Sequence, residues 1–125
     1  MSKKSFTLLE LMLVVVIVGI IATFAIPGYL GVRQRAEGRQ ASTQLRLIQT
    51  AEKVIFLEEE AYMACAGFAA CNVALDLDLP NDGWAYNVVL IGGPNFTATA
   101  AQGGCTYTMN RNSVDPAAAG CVFIP

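Results

Sequence analysis

Between Phe6 and Tyr29 the only charged side chain is Glu10, set in an otherwise apolar run. A carboxylate in such a run costs up to ~3 kcal/mol near a bilayer centre and less near its edge. Glu10 therefore either snorkels to the head groups or meets a cation. Four cysteines, Cys65, Cys71, Cys105 and Cys121, are the other reactive groups. In a short exported domain they read as two disulfides formed in an oxidising compartment. Three pairings are open. Cys65–Cys71 and Cys105–Cys121 are expected, because each pair is local to its own segment. A zinc site is the rival, but the chain has no histidine and lacks the close cysteine spacing of zinc knuckles. Asp76, Asp78 and Asp82 glance at a calcium loop. They depart from it, with Pro80 at a ligand place and Asn87 where a bidentate glutamate is needed. Turn chemistry is the simpler reading, and no metal or cofactor is expected. No P-loop, nucleophile elbow or acid–base histidine is present, so nothing points to an enzyme. Glu58-Glu59-Glu60 reads as a solvated helix end, and Asn95-Phe96-Thr97 as a short sequon in a turn.

These groups need elements to hold them. The 125 residues suit one domain plus an anchor. As a helix, Leu11 to Tyr29 reaches ~28 Å, close to a ~30 Å hydrocarbon core. A secretory signal peptide fits less well. The run is longer than an h-region, carries Glu10, and continues past Pro27 into helix-forming sequence. Charge is uneven. Arg33, Arg35, Arg39, Arg46 and Lys53 follow the span, whereas beyond Lys53 seven acids face only Arg111. The basic band suits anionic head groups or a solvated helix face. The acidic outer part argues against general nucleic-acid binding. Lys3 and Lys4 favour a cytoplasmic N-terminus, while Arg33, Arg35 and Arg39 oppose it, so charge alone leaves topology open.

Lys3-Lys4-Ser5-Phe6-Thr7-Leu8-Leu9-Glu10-Leu11 resembles the class III leader junction of type IV pilins and type II secretion pseudopilins. The short leader and the Phe are similar to the type IVa and pseudopilin branch. The resemblance implies cleavage between Ser5 and Phe6 by a prepilin peptidase, then N-methylation of Phe6. Ser5 stands where the family has Gly. Glu10, Gly19 and Pro27 match the family's assembly positions in the helix. The resemblance also implies an N-in topology in the bacterial inner membrane, an assembly platform, and identical subunits as partners. Cys105–Cys121 would close a loop like the C-terminal disulfide loop of many pilins.

The expected fold is α+β: a long N-terminal helix packed on a small C-terminal antiparallel sheet, as in pilins. Residues 1–5 form the leader and 6–29 the transmembrane and assembly helix. An amphipathic helix covers 30–62, with Pro27 ending or kinking the helix before it. Its apolar face is Ala41, Leu45, Ile48, Ala51, Ile55 and Tyr62, and Arg39, Arg46 and Lys53 share another face. Residues 63–83 connect, with a short helix in the alanine-rich part. Residues 84–125 hold strands at Trp84–Ile91, Phe96–Ala101 and Cys105–Met109, a loop at Asn110–Gly120, and a short closing strand at Cys121–Ile124. The expected function is a filament subunit that leaves lipid to polymerise. The alternatives are a pseudopilin, a minor or DNA-uptake pilin, and an anchored periplasmic binding domain that never polymerises.

Overall fold

The computed structural model describes residues 4–121. The chain divides into two compact units, Met1–Gln34 and Arg35–Pro125. Helix α1 runs Leu8–Glu59 and is helical through Pro27. The proline does not end it. One ladder bond is lost there, because Pro27 has no N–H to give the Thr23 carbonyl. Nearby, the Thr23 hydroxyl donates to the Ile20 carbonyl at 2.6 Å, so this polar side chain is satisfied inside the apolar stretch.

In the second unit, α1 packs on a five-stranded antiparallel sheet. The strands are β1 (Cys65–Ala66), β2 (Ala85–Leu90), β3 (Phe96–Gln102), β4 (Cys105–Asn110) and β5 (Ala117–Ala119), and they neighbour one another in chain order. A second helix, α2 (Phe68–Leu75), sits in the connector. Alternation along the strands puts one face on the core. Tyr86 and Val88 of β2, Phe96, Ala98 and Ala100 of β3, and Tyr107 and Met109 of β4 are buried. The register explains the alanines of β3. Ala100 stands between Tyr86 and Tyr107, and Ala98 between Val88 and Met109. Small residues in the central strand leave room for the large ones on either side. Above them lie Ala41, Leu45 and Ile48 of α1, all fully buried. Burial of side chains the size of Leu45 and Ile48 contributes ~1.5–3 kcal/mol each. Ala51 and Ile55 are half-buried at the edge.

The α+β architecture and the buried helix stripe are those expected, and several further details differ. First, α1 ends at Glu59, not at Tyr62. Glu60 turns into the left-handed region (φ 58°) with its N–H on the Phe56 carbonyl at 2.9 Å. The chain then folds back, and the Tyr62 ring packs against Phe56 at 4.7 Å and Phe96 at 4.8 Å between centroids. Second, the connector contributes β1, which pairs Cys65 with Val88 and Ala66 with Asn87. Third, the segment expected as a loop holds β5, which pairs Ala117, Ala118 and Ala119 with Thr108, Tyr107 and Thr106. Of the closing strand expected at Cys121–Ile124, Cys121 lies outside any strand, and residues 122–124 lie outside the described residues.

Candidate functional site

Helix α1 begins on Thr7. Its carbonyl accepts the Leu11 N–H at 3.2 Å, and its hydroxyl accepts the Glu10 N–H at 3.3 Å. Thr7-Leu-Leu-Glu10 thus has the spacing of a capping box, with the threonine as cap and the glutamate three residues on. This cap adds to the lipid and cation readings of Glu10, and its spacing is visible in the sequence. Glu10 stands in the first turn, where the helix dipole favours a negative charge. Its carboxylate is solvent-facing, as are Ser5 and Phe6 just before it. Within one chain, then, these groups lie within about a turn of one another.

Gly19 and Pro27 lie farther along the same helix, about 9 and 17 residues beyond Glu10, or roughly 14 and 26 Å at 1.5 Å per residue. A Cβ placed on Gly19 would meet no atom within 4 Å. The most apolar window of α1 has mean hydropathy 2.8, and none of it is buried. Phe6 is 82% exposed and Phe24 81%. An apolar surface this continuous far exceeds what a soluble monomer leaves in water. It is consistent with membrane anchoring, and equally with burial among other chains.

The second unit positions its polar groups without building a catalytic array. Cys65 is bonded to Cys71 and Cys105 to Cys121, with Cα separations of 5.0 and 4.3 Å. Asp82 closes a turn: its Oδ1 accepts the Trp84 N–H at 3.1 Å and its Oδ2 accepts the Tyr86 hydroxyl at 2.9 Å. Burial, with the Asp82 charge beside it, pushes the Tyr86 phenol well above its ordinary range. Among the described residues no group of three metal-ligating side chains comes together. Two α1 side chains unremarked in the sequence carry structure. The Gln49 amide nitrogen donates to the carbonyls of Asn110 (2.7 Å) and Ser113 (2.9 Å), pinning the loop after β4. Glu52 is fully buried, and its Oε2 accepts the Met63 N–H at 2.9 Å while Oε1 has no partner. Desolvation raises the Glu52 pKa, and the Met63 bond only partly offsets it. Gln49 and Glu52 fall beside the apolar stripe at helical spacing, which was the only signal that they face inward.

A family profile described as "Prokaryotic N-terminal methylation motif" matches residues 1–26. The type IV major pilin protein PilA of Myxococcus xanthus is 42% identical over 116 residues, 90% of this chain and 43% of that protein. The type II secretion system core protein G of Vibrio cholerae is 40% identical over 61 residues, 49% of this chain and 42% of that one. The chain carries that N-terminal motif and is similar to type IV pilins and type II secretion pseudopilins. A fimbrial protein of Pseudomonas aeruginosa matches at 37% over 65 residues, 52% of this chain and 42% of that protein. The chain spans less than half the length of these relatives. No solved structure matches it. The motif match falls on the exposed N-terminal helix, and the relatives are structural proteins rather than enzymes.

Proposed function

We propose that this chain is a structural subunit of a type IV pilus-like filament. The observation that carries the proposal is the methylation-motif match laid over a capped apolar helix that the fold leaves wholly uncovered. Prepilin peptidase cleaves between Ser5 and Phe6 and Phe6 is N-methylated, so residues 1–5 are the leader. Before assembly, residues 6–29 sit in the lipid of the bacterial inner membrane with the N-terminus cytoplasmic. An inner-membrane assembly platform then moves the subunit into a filament outside that membrane. Residues 30–125 form its outer domain. In the filament core the apolar segments of identical subunits replace lipid as one another's solvent, and Gly19 and Pro27 shape that contact.

Cleavage creates a partner for Glu10. A free α-amino group has a pKa of about 8 and is mostly cationic at neutral pH. The Phe6 α-amino group of one subunit pairs with Glu10 of another, so a subunit docked out of step strands a charge in an apolar core. The same cap geometry keeps Glu10 at the very start of the helix, next to the new terminus.

A pseudopilin is the second reading, favoured by the relatives named as type II secretion core protein G. Their matches cover about half of this chain, whereas the major pilin's covers 90%, which supports the pilus subunit. The test is recovery of the protein in sheared extracellular filaments, with N-terminal mass spectrometry of that material. A methylated Phe6 terminus in filaments is expected. A terminus at Met1, or a protein that stays wholly in the membrane fraction, overturns the proposal.

A further inference from the structure

Two grooves of opposite charge flank α1 in the second unit. One lies between α1 and the β4–β5 side and is lined by Arg39, Ser42, Thr43, Arg46, Tyr107 and Asp115. Arg46 is paired with Asp115, and among the described residues Arg39 has no ion-pair partner. The other lies between α1 and the end of α2, where Glu58, Glu59 and Asp76 gather three carboxylates beside Leu47 and Val54. Arg39, Arg46, Glu58, Glu59 and Asp76 are all exposed. At 100° per residue, Glu58 lies ~120° round the helix from Arg46, so the two grooves open on different flanks.

We propose that the acidic groove of one copy docks its Glu58 and Glu59 into the Arg39–Arg46 groove of a second copy. This inference rests on the filament reading and names a contact within it. The occupant follows from charge complementarity: the Arg39–Arg46 groove has a net positive lining, and the groove at the end of α2 carries three acids on the same molecule. Glu58 lies ~18 Å beyond Arg46 and ~28 Å beyond Arg39 along the helix at 1.5 Å per residue. Two parallel copies can therefore join these patches only when displaced along their axes by about that distance. Such a contact joins different surfaces on the two partners. It does not close on itself as a two-fold dimer does, and it leaves an unused basic groove on one copy and an unused acidic groove on the other. Repetition gives an open helical array. Long-range attraction between the grooves also orients the incoming subunit, and like charges brought together reject a wrong register.

The experiment uses the full chain in a bacterium that assembles it, with filament yield after shearing as the readout. Arg39→Glu and the double change Glu58→Arg with Glu59→Arg are each expected to lower yield roughly tenfold or more, through like-charge contact. The triple variant, which exchanges the charges, is expected to recover most of the yield. Melting of each purified full chain in detergent micelles, followed by circular dichroism, separates lost docking from lost folding. Where a reversal lowers the melt, the neutral changes Arg39→Gln and Glu58→Gln with Glu59→Gln replace it, with a smaller loss of yield expected. Unchanged yield in the single-groove variants overturns the docking. So does failure of the triple variant to recover when its melt matches the parent. Absence of filaments from the parent chain overturns the filament reading instead, so the two failures are distinguishable.

Discussion

Gly38 of α1 is packed against the Tyr107 hydroxyl of β4, and it yields a quantitative test of the packing. A Cβ at Gly38 would lie 2.5 Å from Tyr107 Oη and 3.4 Å from Cζ. Carbon–oxygen contacts are comfortable near ~3.5 Å, so the hydroxyl must retreat by about 1 Å. It has little freedom to do so. Tyr107 is 1% exposed, its ring packs on Trp84 with centroids 5.7 Å apart, and burial already pushes its phenol pKa up. Overpacking of this kind costs ~1–3 kcal/mol. Replacing a helical glycine by alanine returns ~1 kcal/mol of helix propensity. Gly38→Ala should therefore lower stability by about 0–2 kcal/mol in the parent. In a Tyr107→Phe background the oxygen is gone and the nearest atom is Cζ, at a distance a small shift relieves. There Gly38→Ala should be neutral or stabilising by up to ~1 kcal/mol. The coupling is then ~1–3 kcal/mol, read from a double-mutant cycle of urea unfolding on the full chain in micelles. Equal effects in the two backgrounds, within ~0.5 kcal/mol, refute the close approach. A stabilising Gly38→Ala in the parent does the same.

Glu52 predicts a pH effect. Its carboxyl sits above its ordinary 4.5 in the folded chain, so the fold holds a proton that the unfolded chain has released. The associated stability is complete below that ordinary value and is lost as pH rises through the raised one. The stability of Glu52→Gln relative to the parent should therefore increase between about pH 4 and pH 8, and a difference constant with pH contradicts the burial. Disulfide removal should scale with loop length. Serine at Cys105 and Cys121, which are 16 apart, should cost ~3 kcal/mol, against ~2 for Cys65 and Cys71, which are 6 apart. Unfolding of the two double variants would reveal the reverse order if the chain-entropy argument fails. Glu10→Ala should insert and be cleaved normally yet enter filaments poorly, and Glu10→Asp should be intermediate. Wild-type filament yield for Glu10→Ala sinks the pairing role, since a lone buried charge costs ~3–5 kcal/mol.

What the amino-acid order determined by itself is whatever depends on local pattern. The apolar run after Glu10, the stripe of Ala41, Leu45 and Ile48, and the alternation of Phe96, Ala98 and Ala100 each carry their own periodicity, so helix, helix face and strand face could be read directly. The tertiary structure decided what local pattern does not encode. β1 and β5 are two and three residues long. Segments that short have no period to read and exist because β2 and β4 offer open edges to pair with. The helix ends at Glu59, and the chain turns back so that Tyr62 stacks on Phe56 and Phe96. Glu52 and Gln49 are polar residues whose types belong at a surface. They face inward because the Met63 amide and the carbonyls of the loop after β4 are there to receive them. The two charged grooves likewise bring Arg46 to Asp115, and Glu58 to Asp76, across gaps in the chain that only packing closes.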